Sequence, residues 1–116
     1  MKIKIEKKIG DDIFILDTKN LTLKYNSYDG NKEVKVEKNT IDFDVGKVGD
    51  GCGGGRIFLL TKTNIKAFNP ENQEFMSLFE NLNEAESIYK KGCDLFVQEK
   101  DAKYIYNLSM MKKYNV

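Results

Sequence analysis

The chain of 116 residues has no histidine and no tryptophan, one proline, one arginine and two cysteines. Each scarcity closes a class of function. Without histidine there is no imidazole base, no histidine-bearing triad and no imidazole metal ligand. The two cysteines, Cys52 and Cys93, cannot make a four-thiolate zinc site and form no C-x-x-C pair. Sequence alone does not license a disulfide between them, so they read as free thiols in a reducing compartment. The purely apolar runs Ile13–Leu16 and Ile57–Leu60 fall far short of the roughly 20 residues that span a bilayer. No long apolar segment follows the basic start, Met1 to Lys8, so no signal peptide is expected. The expected setting is cytoplasmic, with no membrane partner, no cofactor and no metal.

What is present describes a globular chain. The hydrophobic fraction is 41%, the charged fraction 32% and the net charge +1. The length fits one domain over residues 1–116, large enough for a core of its own. Lysine, asparagine and isoleucine make up 39 residues, whereas alanine, proline and arginine number five together. That bias resembles the product of an AT-rich bacterial or viral genome.

The first half alternates with period two. Ile3 and Ile5, then Leu21, Leu23 and Tyr25, then Val34 and Val36, then Ile41, Phe43 and Val45 are each separated by polar residues. That is the pattern of antiparallel strands with one dry and one wet face. Turn chemistry separates them at Gly10-Asp11-Asp12, Asp17 to Asn20, Tyr28-Asp29-Gly30-Asn31 and Lys38-Asn39-Thr40. Ile13–Leu16 and Ile57–Leu60 lack alternation and read as central strands covered on both faces. The second half changes period. Asn69 and Pro70 suit a helix start, and Phe75, Phe79 and Leu82 recur at i, i+4 and i+7. Asn83 with Glu86 resembles a capping box for a second helix, which Lys90 and Lys91 would favour at its end and Gly92 would close. Cys93–Gln98 and Tyr104–Met110 read as a closing hairpin, with a helix as the alternative for residues 104–113. No internal repeat stands out at a fixed period. The expected fold is α+β: an antiparallel β-meander of about five strands, two short consecutive helices packed on the sheet, and a C-terminal β-hairpin. The helices are expected to bury Phe75, Phe79, Leu82, Ile88 and Tyr89.

Few constellations carry chemistry. Residues 49–55 include five glycines, and Arg56 closes the segment. Glycine amides can cradle an anion, and the arginine fork matches phosphate or carboxylate, so Gly51, Gly53, Gly54, Gly55 and Arg56 form a candidate anion or nucleotide site. It matches no phosphate-loop or dinucleotide motif. Cys52 within it has no histidine base and reads as a bystander. Residues 71–86 carry Glu71, Glu74, Glu80, Glu84 and Glu86 with no basic residue. On exposed helices these would offer an acidic surface to a basic partner protein. Tyr104, Tyr106 and Tyr114 among C-terminal lysines allow an RNA reading, which a net charge of +1 does not favour. Asp42 and Asp44 read as the wet face of a strand, and Asp11 and Asp12 as turn residues.

No catalytic set emerges, so the chain reads as non-enzymatic. The expected function is protein binding: a small inhibitor or accessory factor that occupies a partner's surface. A phage or mobile-element anti-defence protein such as an anti-CRISPR, or a toxin-immunity protein, would fit. The alternatives are an anion-binding module using residues 49–56, and RNA binding through the C-terminal tyrosines and lysines.

Overall fold

The computed structural model describes residues 3–27 and 30–116, and these form twelve strands. In chain order they are β1 (Lys4–Ile9), β2 (Asp12–Asp17), β3 (Thr22–Ser27), β4 (Gly30–Lys35), β5 (Thr40–Val45), β6 (Ile57–Thr61), β7 (Ile65–Asn69), β8 (Glu74–Phe79), β9 (Ser87–Lys91), β10 (Asp94–Gln98), β11 (Lys103–Asn107) and β12 (Lys112–Asn115). They make three four-stranded antiparallel sheets, each a simple meander: β1–β4, β5–β8 and β9–β12. The Tyr28-Asp29 part of the expected Asp-Gly turn lies outside the described residues.

The architecture is therefore all-β among the described residues, and the expected α+β fold with two helices is wrong. The alternating segments of the first half are strands, as are Asp94–Gln98 and Lys103–Asn107. The error lies in residues 69–92. Asn69 starts a turn, not a helix: its side-chain oxygen accepts from the Glu71 amide and its carbonyl from the Gln73 amide. The Asn83 amide donates to the Glu99 carboxylate, and the Glu86 amide to the Gln98 carbonyl. Gly92, at φ 60°, turns β9 into β10. Asn and Gly serve helix ends and β-turns for the same backbone reasons, so their presence alone does not choose between them.

The spacing of Phe75 and Phe79 has a different cause. The β7–β8 ladder slips between Ile65↔Phe79 and Lys66↔Ser77. A bulge re-aims the residues beyond it. Phe75 packs on Phe68 at 4.8 Å between ring centroids, on the side of the first sheet. Phe79 meets Tyr106 of the third sheet at 4.9 Å. Helical spacing here is two opposite faces of one bulged strand.

The core lies in two layers between the three sheets. Phe14, Leu16, Leu23, Tyr25 and Val36 pack against Phe43, Val45, Ile57, Leu59 and Phe68. Phe58, Leu60, Ile65 and Ala67 pack against Leu82, Ala85, Ile88, Leu95, Val97 and Tyr106. The middle sheet is thus covered on both faces along β6, every residue of which is buried, as the unbroken run Ile57–Leu60 implies, whereas its edge strand β8 is largely exposed. Ile13–Leu16 differs: Phe14 and Leu16 are buried, but Ile13 is 37% exposed on the outer side of the first sheet. Leu82 and Ile88 are buried, whereas Phe75 and Tyr89 are exposed.

The meanders repeat. Phe14 pairs with Tyr25, Phe58 with Ala67 and Phe96 with Ile105, each between the second and third strands of its sheet. Phe14 faces the second sheet and Phe58 the third. The spacing between copies is unequal, so no fixed period exists to be found in the sequence.

Candidate functional site

The inner strands β1, β5 and β9 adjoin in that order. Carboxylates take the place of a hydrogen-bonding strand between the second and third sheets. Asp42 accepts from the Ile88 amide at 2.9 Å, and Asp44 from the Lys90 amide at 2.6 Å. Asp44 also stands 3.4 Å from the Lys7 ammonium. These aspartates, read from sequence as a solvated strand face, instead satisfy the edge of β9. Burial pushes the Asp42 carboxyl above its usual range, against the opposing pull of the Ile88 amide.

The glycine-rich loop between β5 and β6 is packed against β9. Its Cys52 is joined to Cys93 by a disulfide, across 41 residues of sequence. The expectation of free thiols is thereby corrected, and with it the argument for a reducing compartment. Sequence separation hid the pair, because the hairpin turn after β9 brings Cys93 back to the loop. The Lys90 side chain, 1% exposed, donates to Asp50 at 3.0 Å and to the Gly92 carbonyl at 2.7 Å. It also lies 5.8 Å from the Phe58 ring centroid. The Lys90 hydrogen bond holds the Asp50 carboxyl below its usual range. Two glycines are required by close approach. A Cβ on Gly46 would collide with the Gly53 carbonyl oxygen, and one on Gly53 would lie 2.5 Å from the Phe58 ring.

The candidate anion residues Gly51, Gly53, Gly54, Gly55 and Arg56 do lie together in this loop. The Gly55 amide donates to Gly46 and the Arg56 amide to Gly53, so two of the cradle's five amides close the loop itself. The acidic residues are not brought together. Glu71 and Glu74 flank the start of β8, whereas Glu80, Glu84 and Glu86 follow its end. Six extended residues put about 20 Å between the two groups. Glu84 lies 3.8 Å from Lys62.

A second polar cluster sits under the third sheet. The fully buried Glu99 accepts from the Asn83 amide at 2.7 Å and from the Tyr106 hydroxyl, and lies 3.3 Å from the Lys113 ammonium. Burial and the Glu99 carboxylate push the Tyr106 phenol up. Lys113 covers the Tyr104 ring at 3.9 Å. The Tyr104 hydroxyl donates to Asp101 at 2.6 Å, which holds that carboxyl low and raises the phenol. Tyr104 and Tyr106 therefore face inward beneath Lys113, and Tyr114 alone of the three C-terminal tyrosines is exposed.

Sequence reasoning missed the outer face of the third sheet. Tyr89, Phe96, Ile105 and Tyr114 stand opposite one another on β9, β10, β11 and β12. They form one unbroken apolar row across all four strands. Tyr89 is 58% and Tyr114 41% exposed, with Phe96 and Ile105 half-buried between them. The Tyr89 and Phe96 rings are 6.3 Å apart. In the first two sheets the row equivalent to Phe96 is covered by the following sheet. The signal existed in the sequence as the alternation of Tyr104 to Met110, but nothing there says which parity faces out.

No family model matches the chain, and no curated protein matches it.

Proposed function

We propose that the protein is a non-enzymatic protein-binding module that acts by occupying a partner's surface, and that the outer face of β9–β12 is its docking surface. The observation that supports this most is the exposed row Tyr89, Phe96, Ile105 and Tyr114. Stacked repeats bury the apolar face of each unit against a neighbour. The outer face of the third sheet presents two tyrosines, a phenylalanine and an isoleucine that no other described residue covers. Tyrosine and phenylalanine are enriched at the cores of protein interfaces, and tyrosine is among the residues that most often carry their binding energy. Lys91, Asp94, Lys103 and Lys112 flank the row and supply a charged rim.

Such a module suits an inhibitor or accessory factor. The Cys52–Cys93 disulfide favours work in an oxidising compartment over the cytosol. The experiment is a binding titration with the partner recovered by cross-linking in the source cell. Phe96→Glu and Tyr89→Glu, checked for native circular dichroism, should each weaken the complex at least tenfold. Affinity within twofold of wild type in both variants contradicts the proposal.

A further inference from the structure

We infer that the occupant of the third sheet's outer face is the first sheet of a second copy of this chain, stacked head to tail. The inference rests on the reading of that face as a docking surface and names its partner.

The two interfaces inside the chain set the rule. The Phe14–Tyr25 row of the first sheet lies on the Ile57–Phe68 row of the second, with the Tyr25 and Phe68 rings 5.8 Å apart. The Phe58 row of the second sheet lies on the Leu95–Tyr106 row of the third, where Lys90 reaches the Phe58 ring. One step further, the Phe96 row needs a row equivalent to Ile57 and Leu95. Among the described residues one such row is left uncovered, on the outer face of the first sheet. There Ile13 stands opposite Lys8 on β1, and its amide donates to Asn26 on β3. Ile15 stands beside it, opposite Glu6 and Lys24.

The two faces carry apolar residues with charges around them. The first sheet's outer face holds a hollow of about 470 Å³ lined by Ile13, Ile15, Lys24, Asn26, Asn31 and Glu33, among others. The third sheet offers an apolar row, with Tyr89 and Tyr114 on its two edge strands the most exposed members. In the repeated geometry Phe96 meets Ile13 of the second copy, and Lys8, which stands opposite Ile13 as Lys90 stands opposite Leu95, reaches the Phe96 ring as Lys90 reaches that of Phe58. Lys91 and Lys112, with Asp94 in the same row, fall beside the turn that carries Asp11 and Asp12, and Lys103 falls beside the row of Glu6, Lys24 and Glu33. A two-fold pairing of third sheets would instead set two faces against each other that each carry Lys91, Lys103 and Lys112 with Asp94. Like charges in register oppose that arrangement.

Sedimentation equilibrium over a wide concentration range tests the assignment. Wild type should self-associate. Ile13→Glu and Phe96→Glu, one on each face, should each weaken association at least tenfold. An equal mixture of the two should recover a dimer, because one variant keeps an intact third sheet and the other an intact first sheet. The exposed pair Asp11→Lys and Lys91→Glu gives the same test without touching an apolar residue: each alone weakens association, and mixing restores it. Wild type that stays monomeric throughout overturns the inference. So does association lost in Phe96→Glu but unchanged in Ile13→Glu, which is the signature of two third sheets pairing. A monomeric wild type whose complex with another protein is still lost in Phe96→Glu fails this inference alone and leaves the docking face standing.

Discussion

Asp44 accepts the Lys90 amide hydrogen bond at 2.6 Å while its other oxygen faces the Lys7 ammonium at 3.4 Å. One carboxylate on the middle sheet thus ties the inner strands of all three. Removing it leaves a buried amide without its acceptor and a cation without its partner. Asp44→Ala should destabilise the fold by about 2–3 kcal/mol. Asp44→Asn keeps an acceptor and should lose less. Urea denaturation with an unchanged m-value reads both.

Asp42, on the same strand, responds to pH in the opposite sense to a salt-bridged acid. Burial raises its folded-state pKa, so its contribution to stability is full below the ordinary carboxylate value and is lost as pH rises through the raised one. Asp42→Asn removes the ionisation and keeps an oxygen for the Ile88 amide. Its melting temperature relative to wild type should therefore rise between pH 4 and pH 7. A difference that stays flat, or falls, contradicts the assignment.

The Cys52–Cys93 bridge closes a loop of 41 residues that includes most of the middle sheet. In the chain-entropy account, cross-linking a loop of that length stabilises by about 4 kcal/mol. Cys52→Ser with Cys93→Ser should lose most of that. The same loss should follow reduction of the wild type, read as a drop in the denaturant midpoint.

Three tight turns share one design. Asp17, Asn69 and Asn107 each accept backbone amides two or three residues on, and the residue four further along has positive φ: Leu21 at 57°, Gln73 at 57° and Met111 at 52°. A side chain in that conformation costs about 1–2 kcal/mol. Gln73→Gly should be neutral or stabilising by up to about 1 kcal/mol, despite glycine's freedom in the unfolded chain. Gln73→Val should destabilise. Thermal denaturation distinguishes them.

These turns also show why half the fold was legible and half was not. Period-two alternation is a direct image of a strand with one wet face, so Leu21 to Val45 could be read. Asn69-Pro70 and Asn83 to Glu86 are ambiguous, because the same side-chain oxygens cap turns and helices. The bulge at β8 then set Phe75 and Phe79 at helical spacing on opposite faces. The repeat of three meanders was hidden by unequal loops, although Ile13-Phe14, Ile57-Phe58 and Leu95-Phe96 mark it. The candidate site was the least legible part. Gly51, Gly53, Gly54, Gly55 and Arg56 drew attention as a ligand cradle, yet the Gly55 and Arg56 amides close the loop and Gly53 makes room for Phe58. The aromatic row is spread over four strands and becomes visible only when their register is known.

The face bearing Tyr89, Phe96 and Tyr114 is expected to be covered when the protein engages its partner. Hydroxyl-radical footprinting of the assembled complex against the dilute free chain measures that directly. Oxidation of Tyr89, Phe96 and Tyr114 should fall severalfold on assembly, while exposed Met76 on the middle sheet stays reactive. Full reactivity of all three in the complex, with protection confined to the glycine-rich loop or to Glu80–Glu86, would contradict the claim.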